Sequence, residues 1–192
     1  MTIADRMTLA PSDGGSTGLT LALSVEDVRW DSALERADVV VEETLHHAAR
    51  HLKILDAVAT EVSVTLTDDK AVHEINCQWR DKDGPTNVLS FPMQALEPGD
   101  RPGPLLGDLV LAFETCAREA GDEGKPFVNH ARHLLVHGFL HCLGYDHMDE
   151  GEAEEMEDLE RAILAGMGIP DPYDIADGGP SGDNRVQDET PL

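Results

Sequence analysis

Between Pro126 and Leu143 the chain is apolar almost throughout and yet carries four histidines, and this segment restricts the possible folds most severely. Pro126 suits the first turn of a helix, where its missing N–H is no loss. Leu134, Leu135, Phe139, Leu140 and Leu143 then make the helix apolar enough to require burial. His130, His133, His137 and His141 recur at spacings of three, four and four, so they share one stripe of it. A lone histidine on an apolar helix is more often a satisfied core residue than a ligand. Four on one stripe, with His147 just beyond, reverse that expectation.

Neutral imidazole suits zinc, nickel, copper and iron, and two histidines four residues apart can both reach one ion. By spacing alone the pairs 133/137 and 137/141 are equivalent. The following turn separates them. Gly144 can take the left-handed conformation that ends a helix and sends the chain back, which returns His147 to the last turn beside His137 and His141. Three histidines leave a fourth coordination position open, as expected of a catalytic rather than a structural site. The spacing also matches the ligands of the metzincin zinc proteases, but there a glutamate follows the first histidine and acts as general base. Here that position is Gly138, so a zinc metallopeptidase is the weakest reading.

The 192 residues suffice for one domain with a sizeable core. Residues 1–18 and 173–192 read as disordered tails, leaving a single domain over 19–172. Leu19 to Val25 and Val62 to Leu66 alternate as strands; Asn87 to Phe91 and Leu105 to Phe113 add two more, the last interrupted at Gly107-Asp108. Ser32 and Glu35 fit a capping box opening one long helix to Leu52, and Asp68 or Asp69 caps a short one carrying Val72, Ile75 and Trp79. Helical stretches follow at 114–120, 126–143 and 150–166. The order predicts an α+β fold, a small mixed β-sheet covered by helices.

No run is apolar and long enough to span a bilayer and the start lacks a signal-peptide pattern, so a cytoplasmic protein with no membrane partner is expected. Cys77, Cys116 and Cys142 form no CxxC pair and read as small buried hydrophobes. The net charge of −24 weighs against a polyanionic ligand. Much of it, however, sits in Asp146 to Glu160, which reads as a solvated helix face, while Arg80, Lys82, Arg101, Arg118, Lys125 and Arg132 remain for a local positive patch.

The stretch HGFLHCLGYDH, residues 137–147, resembles the HGxLHLxGYDH motif of the YbeY family of single-strand-specific endoribonucleases. RDKDGPTNVLSFP from Arg80 to Pro92 is similar to a second family motif, and LGDLV from Leu106 to Val110 to a third. His130 and His133 fall on the family's additional helix histidines, and Glu152 to Leu159 continues in its acidic style; the likeness runs from Leu19 to Tyr173. It implies a compact α+β fold with a central metal-binding helix, and a metal-dependent endoribonuclease of rRNA processing, acting at the 3′ end of 16S rRNA and in ribosome quality control. His137, His141 and His147 would be the ligands and Arg80 a functional arginine. The implied partners are single-stranded RNA and the ribosome or its small-subunit assembly intermediates, with no DNA. A metal-stabilised ribosome-assembly factor with little cleavage of its own is the alternative.

On this reading a single Zn²⁺, with Ni²⁺ as another candidate, lowers the pKa of a water and polarises the phosphate, which makes a carboxylate base less necessary. Arg80 grips the phosphate through parallel hydrogen bonds and, with His137, is the expected catalytic residue. Attack by the RNA 2′-OH is equally open. Asp146 is a candidate to hold a ligand imidazole in one tautomer. Asn87 is expected to orient the Arg80 loop, Asp108 to border the cleft beside a bulge, and His130 and His133 to be structural or to line the substrate path.

Overall fold

The computed structural model describes residues 7–9, 18–53, 59–79, 84 and 86–174. These form β1 (Met7–Leu9), β2 (Leu19–Val25), α1 (Arg29–Leu34), α2 (Ala37–Leu52), β3 (Thr60–Thr67), α3 (Asp69–Trp79), β4 (Val88–Pro92), β5 (Leu105–Ala112), α4 (Phe113–Asp122), α5 (Phe127–Cys142) and α6 (Glu150–Gly166). The sheet order is β1-β2-β3-β5-β4. Its central strands β2, β3 and β5 run parallel, and β1 and β4 pair antiparallel at the two edges. The α+β expectation with a mixed sheet is met.

Alternation along the strands builds two unequal cores, because successive side chains of an extended chain point to opposite faces. Leu19, Leu21 and Leu23, Val62, Val64 and Leu66, and Leu109 and Leu111 face one side and are buried there with residues of α2 and α5. Leu89, Val110 and Ala112 face the other side, where Val72 of α3 covers them. Helix α5 packs on β4 and β5 and is flanked by α2, α4 and α6, so its histidines are enclosed rather than displayed.

The structure differs from the expectation in several places. The long helix divides: α1 ends at Leu34, Glu35 turns the chain at φ 61°, and α2 begins at Ala37. Trp30 explains the break. Its side chain is fully buried, its Nε1–H donates to the Thr67 carbonyl at 2.9 Å, and its ring meets Phe113 edge-on with centroids 5.4 Å apart. Seating that indole fixes a short helix of its own direction, and Ser32 then lies inside it, its hydroxyl donating to the Val28 carbonyl at 3.4 Å instead of capping. Met7–Leu9, assigned to the N-terminal tail, pairs with the otherwise open edge of β2. Strand β5 continues through Gly107-Asp108. Its irregularity is a register shift in which Glu61 pairs Leu105 and Val62 pairs Gly107, so that Leu106 is the extra residue.

Gly138 sets how closely α5 approaches the sheet. A Cβ there would lie 2.9 Å from Leu109 Cδ2, 2.9 Å from Ser90 Oγ and 3.3 Å from Val88 Cγ2. The position faces β4 and β5, and no side chain fits without displacing buried neighbours. Gly138→Ala is therefore expected to cost about 1–3 kcal/mol by overpacking. Gly138→Glu should cost several kcal/mol more, because its carboxylate would be driven into an apolar layer. Thermal unfolding followed by circular dichroism checks both; an unchanged midpoint for Gly138→Glu would show that this face of α5 is not against the sheet.

Candidate metal centre

The turn after α5 brings the candidate ligands together. Gly144 has φ +88°, its N–H donates to the His141 carbonyl at 3.0 Å, and the Tyr145 N–H donates to the Leu140 carbonyl at 3.1 Å. This pair of bonds is a Schellman ending, which closes off the last helical carbonyls and reverses the chain. Glycine is needed here twice over, since a Cβ would also sit 2.2 Å from the Leu96 carbonyl oxygen. Beyond the turn, Asp146 Oδ1 accepts the His147 backbone N–H at 2.8 Å. Asp149 Oδ1 then accepts the N–H groups of Gly151 and Glu152 at 2.9 Å each, starting α6. His137, His141 and His147 consequently offer one ligand nitrogen apiece, all within 4.8 Å of one another.

Hydrogen bonds to the far nitrogens determine what the near ones can do. His137 Nδ1–H donates to Glu160 Oε1 at 2.7 Å, and His141 Nδ1–H donates to the Tyr145 carbonyl at 2.9 Å. A carboxylate and a carbonyl can only accept, so each neutral imidazole carries its proton on Nδ1 and presents a lone pair at Nε2. Those two Nε2 atoms face each other at 3.2 Å. Two lone pairs at that distance repel unless they share a cation, and tetrahedral zinc ligation at about 2.0–2.1 Å places neighbouring nitrogens about 3.3 Å apart. The residues present fit a divalent transition metal.

Glu160 is the site residue that sequence reasoning missed. It belongs to the acidic run read as a solvated face, yet it is 0% exposed, whereas Glu150, Glu152, Glu154, Glu155 and Asp158 are exposed as expected. Its position was readable in principle: Met156, Glu160, Ile163 and Leu164 share the buried stripe of α6. Besides His137 it accepts from His133 Nε2–H at 2.7 Å and from the Tyr173 hydroxyl. Burial alone would raise its pKa, but the adjoining His133 and His137 imidazoles outweigh this and hold the carboxyl well below its usual range. Burial, and then the Glu160 carboxylate, push the Tyr173 phenol far upward, so it stays a protonated donor. Tyr173, assigned to the C-terminal tail, is thus docked against the site.

The other expected residues are distributed around this centre. His133 shares the stripe, but its Nε2–H is committed to Glu160. His130 Nε2–H donates to Glu119 Oε2 at 3.0 Å, and Asn87 Nδ2 donates to the same oxygen at 3.0 Å, so α4 joins these two residues. Asn87 also accepts the Val88 N–H through Oδ1 at 2.6 Å, holding the start of β4. Asp108 pairs with Phe91 and Ser63 in mid-sheet, next to Gly107, where a Cβ would lie 2.7 Å from Cys142 Sγ at the end of α5. Asp146 bonds the backbone of His147; the carboxylate found on a ligand imidazole is that of Glu160. Arg80 and Lys82 lie outside the described residues. Of the remaining cations expected in a positive patch, Arg132 pairs with Glu43 at 3.0 Å and Lys125 pairs with Glu123, so their charge is locally compensated. Cys116 and Cys142 are buried as expected, Cys77 is exposed, and burial raises the Cys116 thiol well above its usual pKa.

Gly144→Ala combines a positive φ with a backbone clash and is expected to cost about 2–4 kcal/mol. Because the turn positions His147, metal affinity should fall as well. Isothermal titration of the metal-free variant with zinc checks this, and affinity equal to the parent's would separate the turn from the site.

Residues 24–168 match the family model described as Endoribonuclease YbeY. A relative from Agrobacterium fabrum, named Endoribonuclease YbeY, is 51% identical over 160 residues, covering 81% of this chain and 95% of its own. One of the same name from Rhizobium johnstonii is 48% identical over 164 residues, covering 83% and 95%. A Thermotoga maritima protein solved in solution shares the fold at 22% identity and a TM-score of 0.50, over 84% of this chain and 99% of its own. With the three-histidine centre built on the helix end that carries HGFLHCLGYDH, these similarities establish that the chain belongs to the YbeY endoribonuclease family.

Proposed function

We propose that the protein is a zinc-dependent nuclease of single-stranded rRNA, maturing the 3′ end of 16S rRNA on small-subunit intermediates in the cytoplasm, with His137, His141 and His147 as ligands. The observation that carries the metal assignment is the pair of Nε2 atoms facing at 3.2 Å, each with its partner Nδ1 proton already donated elsewhere. RNA as substrate is supported by the names of the relatives, which are called endoribonucleases. No helix among the described residues is long and apolar enough to cross a membrane.

A bound zinc ion supplies Lewis acidity toward a water and a phosphoryl oxygen. The chain's own residues do the rest. Gly138 leaves no carboxylate beside the first ligand, so proton acceptance cannot come from the position a metzincin uses. Arg80 grips a non-bridging phosphate oxygen pair and offsets the charge that grows there. His130 and His133, held by Glu119 and Glu160, keep the helix stripe ordered beside the ligands. Asn87, anchored to Glu119, steadies the end of the segment that follows Arg80.

A metal-stabilised ribosome-assembly factor is the second reading, and the charge of −24, with Arg132 and Lys125 already paired, weighs on both because each requires a polyanionic partner. Substitutions at two positions separate the readings. His141→Ala should abolish both zinc binding and cleavage of a single-stranded RNA by the purified, folded protein, while binding to small subunits persists. Arg80→Ala should retain full zinc occupancy by elemental analysis and lower cleavage on the order of 100-fold. Undiminished cleavage by His141→Ala would defeat the metal mechanism, and undiminished cleavage by Arg80→Ala would remove the arginine from it.

A further inference from the structure

Glu160 sits where three hydrogen-bond donors converge: His137 Nδ1–H on one oxygen, His133 Nε2–H and the Tyr173 hydroxyl on the other. An ionised carboxylate in a dry interior is tolerated only with its oxygens occupied in this way. Tyr173 is itself held on its strap. Arg161 lies over its ring at 4.8 Å from the centroid and pairs through Nε with Asp171 Oδ2 at 3.3 Å, and Lys125 donates to the Pro172 carbonyl. Residues 171–173 are therefore fastened to α6 and to the start of α5, and end on the carboxylate behind the metal centre.

We propose that Glu160 is a positioning residue for the metal centre and that the Tyr173 strap completes it. The inference rests on the three-histidine reading above. A histidine free to choose carries its proton on either nitrogen, and a proton on Nε2 of His137 would occupy the direction in which the ion must bind. Glu160 Oε1 removes that choice by holding the proton on Nδ1. The second oxygen fixes the carboxylate's rotation, because His133 and Tyr173 approach it from two sides. The same bond withdraws His133 Nε2 from competition for the ion. The C-terminal strap and the ligand helix thereby become one unit.

Glu160→Gln tests this while keeping the side chain's shape. One amide nitrogen must then face an imidazole N–H, so His133 or His137 is forced into its other tautomer. Zinc affinity, measured by competition with a chromophoric chelator, should fall about 10- to 100-fold. Tyr173→Phe, which removes one of three donors, should lower it by less than about tenfold. A purely structural carboxylate would change the unfolding midpoint and leave the affinity of the folded fraction alone. In the unaltered, metal-free protein, two-bond ¹H–¹⁵N spectra should show His137 as the Nδ1–H tautomer, a readout that holds even if Glu160→Gln does not fold. A His137 proton on Nε2 there, or zinc affinity within about twofold of the parent in folded Glu160→Gln, overturns the proposal. His141→Ala distinguishes the two failures: if it too keeps its zinc, the metal-centre reading falls, and if it alone loses zinc, only the role of Glu160 falls.

Discussion

Every imidazole on a buried helix has to be given a hydrogen-bond partner, because an unpartnered polar group in a dry core costs about 1–3 kcal/mol. On α5 each histidine meets it through one ring nitrogen. His130 is matched by Glu119, His133 and His137 by the two oxygens of Glu160, and His141 by the Tyr145 carbonyl beyond its own helix end. The partners come from α4, from α6 and from the turn after α5, so satisfying the histidines also dictates which elements surround the helix. The Nε2 atoms of His137 and His141 are thereby turned toward each other at 3.2 Å, and His147 is delivered to them by Gly144. The site is the residue of a packing problem solved around it.

The ligand spacing of a metzincin is therefore compatible with a different surrounding. A protease needs a carboxylate beside its first histidine, on the side where water is activated. Here the equivalent residue turns toward β4 and β5, and the space beyond its Cα is filled by Leu109, Ser90 and Val88. The carboxylate lies behind His137 instead of beside it: Glu160 bonds Nδ1, opposite the Nε2 that a metal ion would take. In that place a carboxylate orients an imidazole and raises its basicity, a different task from a general base beside the ligand. Chemistry that depends on the ion's own acidity and on substrate positioning suits such an arrangement better than peptide hydrolysis does.

The acidic charge finds an ordinary explanation once it is located. Glu150, Glu152, Glu154, Glu155 and Asp158 lie on the exposed face of α6, and two of them fall in the helix's first turn, where the macrodipole favours negative charge. Lys125 and Arg132 are paired with Glu123 and Glu43. Of the six cations expected in a positive patch, Lys125 and Arg132 are thus already compensated, which leaves Arg80, Lys82, Arg101 and Arg118 as its candidates.

Much of this was legible in the chain. Alternation in LTLALSV and in Val62 to Leu66 marks strands because one face is buried, and the stripe of histidines followed by Gly144 places three imidazoles together because helix period and left-handed turn are local properties. Long-range relations were not legible. The strand order β1-β2-β3-β5-β4, the break that seats Trp30 under Thr67, and the meeting of Glu119 with both Asn87 and His130 join residues far apart in sequence. Glu160 is the sharpest case: within a run of acids its chemistry is indistinguishable from that of its neighbours, and only the packing of α6 on α5 selects it for burial. The sequence by itself determined which residues could hold a metal, since periodicity and turn chemistry act over a few residues. The tertiary structure decided which carboxylate orients them, since that depends on which helices meet.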